Sequence, residues 1–394
     1  MKLKTLLWST SMTLLFTACQ KEKGELLQNE ELSPTSASAK LGNDDKDKSD
    51  SRHVYTLSNA TNGNMVLDYL RSSNGTLTFS ASYATGGNGS GGGLGNQGAI
   101  ILANVKDHHD DDERILLGVN AGSNSISSFR IHNNGLHLRS TVSSGGIRPV
   151  SITQHDDLVF VLNGGGTNNI SGFKLKDNGM LKPIPNSTRP LSAASTGPAQ
   201  VSFVHGGKVL VITEKATNKI VSYTVNEHGI PGTMHTITSS SPTPFGFAVG
   251  QHGKIFVSEA VGGAPGASVL SSYQVHNNGA VTLINGSVGA GQSAACWVVL
   301  SHFGRYAFTT NTASDNISKY SVSNSGDISV SQAIAVTTQA GPIDAAITRD
   351  SRYFYVLNGG GNSIQAFAVG NTGNLSLIQT VPGLPMGATG LAVN

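Results

Sequence analysis

Charge is scarce in this 394-residue chain: Asp, Glu, Lys and Arg make up 13% of it, about half the roughly 25% usual in soluble domains. The net charge is +2, and no basic stripe interleaved with aromatics runs along the sequence. Both facts exclude an ordinary nucleic-acid surface. Cysteine is almost missing, with only Cys19 and Cys296. Cys19 ends a leader, so the mature body is expected to keep one thiol and no internal disulfide, and to be stable through its core alone. Long apolar runs are lacking too. The stretch from Leu6 to Phe16 is too short and too broken by Ser and Thr to span a bilayer. No Walker lysine motif and no Gly-x-Ser-x-Gly nucleophile occurs. Two G-x-G-x-x-G matches, at 87–92 and 93–98, open no predicted helix and so lack the N-terminus that cradles a phosphate.

What is present begins with a leader. Lys2 and Lys4, the apolar stretch and Thr17-Ala18-Cys19 make residues 1–19 a signal peptide. Small residues before a cysteine resemble the bacterial lipobox, which implies a lipid on the Cys19 sulfur and a membrane-anchored protein, periplasmic or on the cell surface. Residues 20–52 are polar with few apolar positions, so they read as a disordered tether, with a reach of roughly 30 Å.

Residues 53–394 are organised by a repeat. Stretches such as ILLGVNAGSNSISSF (115–129), VFVLNGGGTNNISGF (159–173) and YFYVLNGGGNSIQAF (353–367) each show an apolar strand, a polar marker, a small turn and a second alternating strand closed by an aromatic. The markers are Asn59, Asn120, Asn163, Glu214, Glu259, Asn311 and Asn358, about 43 to 61 residues apart. A Gly-bearing hairpin turn follows each closing aromatic. A third strand precedes most repeats, often after Pro and rich in small residues, as suits the strand nearest a crowded axis. This period and strand count predict an all-β, seven-bladed β-propeller with four-stranded antiparallel blades. The chain starts on a second-strand segment at Val54 and ends on an inner-strand segment at 390–393. Pairing of the C-terminal strand into the N-terminal blade is therefore predicted to close the ring.

Antiparallel pairing puts the inner-strand starts and the ends of the following strands on one face of the disc. Gln97, Gln200, Cys296 and Asp344 are expected near the axis there, with Phe245 and Arg148 beside inner-strand starts and the Asn ring around them. The long connections, Tyr83 to Asn96 and Ala260 to Ser268, open on the same face. Converging polar groups at a concave mouth make a ligand site. Asparagine suits turns, yet Asn311 and Asn358 face the mouth and count among the ligand candidates. Glu214 and Glu259 break the Asn pattern and are the candidate catalytic bases. Arg148 could grip a carboxylate with two parallel hydrogen bonds. Cys296 with Trp297 reads as core. No metal ligands are assigned; a divalent metal on a carboxylate is the one cofactor left open. The run His108 to Glu113 falls on the opposite face and reads as a solvated hairpin.

The Pro-led inner strands, Gly304-Arg305-Tyr306 and the aromatic hairpin closures resemble the lactonase family of seven-bladed propellers, 6-phosphogluconolactonase-like and carboxymuconate-cyclase-like, over 53–394. Thr196-Gly197-Pro198-Ala199-Gln200 and Ala294-Ala295-Cys296-Trp297, among others, are similar to a bacterial lipoprotein branch of it. The resemblance implies hydrolysis of a sugar-acid or similar small lactone. Where other members carry His and Arg-His at inner-strand starts, this chain has Gln200 and Phe245-Gly246, while Glu259 keeps the family's acid. The alternatives are a non-catalytic propeller that binds a small ligand or another envelope protein, and an interaction protein working through its rims. A monomer is expected.

Overall fold

The computed structural model describes residues 52–106 and 112–394. The leader, nearly all of the tether and most of the His108 to Glu113 run lie outside them, as does Cys19.

Short runs of alternating residues form strands because one side of each can be buried against a neighbouring sheet while the polar edge groups pair within the sheet. Seven such sheets form. Blade 1 joins Thr389–Val393 to His53–Leu57, Met65–Arg71 and Leu77–Ala84. Blade 2 runs Ile100–Lys106, Asp112–Asn120, Ser125–His132 and Gly135–Ser143. Blade 3 runs Ile147–His155, Leu158–Gly165 and Asn169–Leu175, and its outer edge is split into Leu181–Pro183 and Arg189–Pro190. Blade 4 is Pro198–Val204, Val209–Glu214, Lys219–Val225 and Pro231–Thr238. Blade 5 is Pro244–Val249, Lys254–Glu259, Val269–Val275 and Val281–Gly289. Blade 6 is Ala295–Leu300, Tyr306–Asn311, Asn316–Val322 and Ile328–Thr337; blade 7 is Pro342–Ile347, Tyr353–Asn358, Ser363–Val369 and Leu375–Pro382. Every pairing is antiparallel, and the inner strands touch one another in cyclic order, the last returning to the first. The predicted seven-bladed propeller is the fold observed.

The ring closes as the chain ends require. Val393 stands opposite Val54, and Ala392 opposite Tyr55. Beyond the ladder, the Arg71 guanidinium donates to the Asn394 carbonyl at 2.8 Å and Asn394 N donates to His53 O at 3.2 Å.

Apolar clusters fill the wedges between adjacent blades. Val211 of blade 4 packs with Phe247, Ile255 and Tyr273 of blade 5, and Phe308 of blade 6 with Phe354 and Phe367 of blade 7. The seven closing aromatics, Tyr69, Phe129, Phe173, Tyr223, Tyr273, Tyr320 and Phe367, are all buried. The turn glycines after them have φ between +73° and +118°, which a residue with a Cβ rarely adopts. Gly75 shows a second reason: a Cβ there would stand 2.2 Å from the Tyr353 ring of the neighbouring blade. Among the described residues no helix is long and apolar enough to cross a membrane.

Candidate functional site

Pro149 stands opposite Asn163, Pro198 opposite Glu214, Pro244 opposite Glu259 and Pro342 opposite Asn358. The inner-strand starts and the marker residues thus share one face, here the upper face. The axis on this side is not open. Residues 85–99 cross from the outer strand of blade 1, lie over Asn59 and Ala60 through Gly91 N to Asn59 O (2.9 Å) and Gly89 N to Ala60 O (2.7 Å), and then descend into the centre. The inner strand of blade 2 was expected to begin at Asn96-Gln97, but it begins at Ile100. The four residues before it plug the axis because their polar groups find partners on other blades. Gln97 N donates to Ala199 O (3.1 Å), Ser151 Oγ donates to Gln97 O (2.7 Å), and Trp297 Nε1 donates to Asn96 O (2.6 Å). The Gln97 side chain spans to blade 6, donating to Val298 O at 2.9 Å and accepting from Val298 N at 3.2 Å. Gln200 does the same toward blade 5, with Phe247 O and N at 2.9 and 2.6 Å. A Cβ on Gly246 would lie 2.2 Å from Gln97 Oε1, so only glycine leaves room for this crossing.

The residues singled out from the sequence therefore separate. The amides of Gln97 and Gln200 act as extra rungs between inner strands. Phe245 and Cys296 are buried in one cluster with Trp297. The expectation of a lone thiol is corrected: Cys296 is disulfide-bonded and no free cysteine stands among the described residues. Asp344 is buried and accepts from Ala345 N (2.8 Å) and from the backbone of Leu391 in the closing strand; burial holds its carboxyl well above the usual range. Asn311 donates to Asn316 Oδ1 and Ser318 Oγ (2.7 and 2.8 Å), and Asn358 to Ser363 Oγ and Gln365 Oε1 (3.3 and 3.2 Å), each within its own hairpin.

Both glutamates are fully buried. Glu214 accepts from Ser192 N (2.9 Å), from Ser192 Oγ and from Thr217 Oγ1. Glu259 accepts from Ser271 Oγ and Tyr273 OH, both at 2.7 Å, and from the backbone of Ser240 and Ser241. Burial raises the Glu259 pKa and these donors oppose the rise. Each carboxylate ties down the loop that leads into an inner strand.

One candidate does face a cavity. Beside the plug, between blades 3 and 4, lies a cavity of about 230 Å³ whose wall includes Leu94, Gly95, Arg148, Val150, Ser195 and Lys215. Arg148 is exposed at the rim. It sits at φ +54°, a left-handed position before Pro149. Gly197, Thr243, Ala294 and Gly341 take the same conformation at the corresponding places. The Arg148 backbone is fixed there by its N–H donating to Asn124 Oδ1 at 2.8 Å. Lys215, not anticipated as a site residue, lies opposite. Its Nζ donates to the Gly95 carbonyl and stands 4.4 Å from the Phe245 ring centre. Burial, and then the Arg148 charge, lower its pKa to about 7. No carboxylate lines the cavity. A signal for both cations was present in the chain. After the markers, the other blades carry Ala60, Ala121, Gly164, Ala260, Thr312 and Gly359 where this blade has Lys215. A long cation in a row of small residues is not needed by the fold. Among the described residues no group of three or more His, Cys, Asp or Glu could hold a metal.

The architecture defines a seven-bladed propeller with a plugged axis and a cationic side cavity, and solved propellers share its fold. A protein of Bacteroides fragilis with a provisional designation as a 6-phosphogluconolactonase is 16% identical, with a TM-score of 0.67, covering 89% of this chain and 100% of its own. A Lactobacillus plantarum protein is likewise 16% identical at a TM-score of 0.67, covering 87% and 99%. The periplasmic gluconolactonase of Pseudomonas aeruginosa is 15% identical at 0.63, covering 86% and 98%. No family model and no curated protein matches the sequence.

Proposed function

We propose that this propeller binds a small acidic sugar derivative, a sugar acid or its lactone, in the cavity between blades 3 and 4. The observation that carries this is the pairing of Arg148 with Lys215 around a cavity without a carboxylate. An anion there would meet a guanidinium able to hold it bidentately and an amine whose charged form it stabilises. The volume of about 230 Å³ suits a ligand smaller than the occupants of typical drug-sized pockets, which measure about 300–1,000 Å³. Titration calorimetry with gluconate and galacturonate tests this. Arg148→Gln and Lys215→Met should each weaken binding about tenfold or more; unchanged affinity in both would refute the site.

Hydrolysis of the lactone is the second reading, favoured by an amine that is partly neutral near pH 7 and by the names of two fold neighbours. Water would attack the lactone carbonyl and give its proton to Lys215 Nζ, Arg148 would stabilise the oxyanion, and the ring oxygen would leave with the proton returned from Lys215. Turnover of glucono-lactone that survives Lys215→Met but fails in Glu259→Gln would return the base to Glu259.

We infer from the leader a protein of the cell envelope, held by a lipid on Cys19 through the tether 20–52, a monomer that binds a small ligand or, as the alternative, another envelope protein. A lipid on Cys19 requires its sulfur to be free of any disulfide. The mass of the Cys19 peptide, with and without reductant, distinguishes the two states.

A further inference from the structure

The lower face, where inner strands turn back into second strands, carries a feature that neither the fold nor the upper cavity requires. Each of these turns among the described residues has a left-handed residue: Asp156, His205, His252 and Ser351 in blades 3, 4, 5 and 7, with φ between +47° and +56°. Blade 6 places Phe303 there at φ +65°. Its ring is 71% exposed, so neither turn geometry nor core packing accounts for it. The short turn His302–Gly304 divides two cavities, of about 370 and 430 Å³, and Phe303 borders both. Lys254 and Arg305 line the first and Arg349 the second, with His252 and His302 beside them; no Asp or Glu lines either. The nearby Asp350 is exposed and accepts from Thr348 Oγ1 at 2.6 Å and Arg352 N at 3.0 Å within its own turn.

We propose that this double groove binds an acidic polysaccharide, a chain of uronic acid units lying across Phe303. The cations match a carboxylate on each unit, and the planar guanidinium forks of Arg305 and Arg349 fit carboxylate geometry. An exposed aromatic face offers a platform for the apolar side of a sugar ring. Polar Gln251, Ser301 and Thr348 in the walls supply partners for hydroxyls. A lipid surface fits less well. Membrane-surface binding rests on an apolar face that enters the headgroup layer, whereas these sites are concave and their exposed apolar residues are Phe303, with the His302 ring 3.9 Å from its own, and Val249.

The full chain on immobilised polygalacturonate, with neutral dextran and anionic phosphatidylglycerol vesicles in parallel, tests the assignment at 0.15 M salt, about physiological ionic strength. Retention by polygalacturonate but not dextran is expected. Phe303→Ala should weaken it at least about fivefold, and Arg305→Glu with Arg349→Glu should abolish it. Both variants alter exposed turns, so their melting curves should match the parent. Arg148→Gln should leave retention unchanged, which separates this groove from the upper cavity. Equal retention on dextran, retention untouched by these variants, or binding to vesicles alone would overturn the proposal.

Discussion

Lys215 and Arg148 show how two long side chains acquire chemistry from their setting. Burial disfavours the Lys215 ammonium, no carboxylate lines its cavity, and Arg148 adds repulsion. An anion bound between them must therefore draw a proton onto Lys215. Gluconate affinity should be highest at pH 6 and fall as pH rises through about 7, because the amine loses its charge. Calorimetry in buffers of different ionisation heat should detect the proton uptake, and an affinity flat from about pH 6 to 8.5 would contradict the Lys215 assignment. The same shift has a stability sign. Lys215 takes up a proton in the unfolded chain near its ordinary value of about 10.4 but in the folded one only near 7. The penalty is full below about pH 7 and fades as pH approaches 10. Lys215→Met should therefore be more stable than the parent in urea at pH 6, with the gap narrowing by pH 9.

At the scale of the element, the strands were legible and the tasks of some side chains were not. Alternation, the closing aromatics and the turn glycines each act through neighbours in sequence or in the adjacent strand, so a linear reading reaches them. Gly75→Ala should cost about 1–3 kcal/mol, read as a shifted urea midpoint, since the turn needs φ +87° and the added methyl meets Tyr353. Glu214 and Glu259 look like exceptions to an asparagine rule, but in the fold each collects donors from the loop ahead of an inner strand. Glu259→Gln should lose about 1–3 kcal/mol, because its amide nitrogen must face a donor. Gln97 and Gln200 read as mouth-lining polar residues. Their real partners, Val298 and Phe247, lie 201 and 47 residues away, and nothing local announces such a pairing.

For the whole molecule, closure is the governing fact. Residues 389–393 supply the inner strand of blade 1, so their loss would bare two edges and open the ring. Deleting 388–394 should lower the melting temperature by more than about 10 °C or abolish a cooperative transition; an unchanged scan would mean that the ring holds without its seal. The plug is the second molecular-scale fact. Residues 85–99 were readable as a long Gly-rich loop on the upper face. Their descent into the axis leaves the proposed ligand cavity to one side, at the seam of blades 3 and 4.

The sequence by itself determined the number of blades, the order of strands, the turn positions and the shared face of the marker residues. These follow from short-period alternation and from a unit repeated seven times. Only the tertiary structure decided which polar residues on that face are free to act. Gln97, Gln200, Glu214 and Glu259 are occupied by partners brought close through ring closure and the plug, while Lys215 is left facing Arg148. Hydrogen-bond satisfaction in a buried space depends on every group that converges there, and convergence is a property of the closed ring.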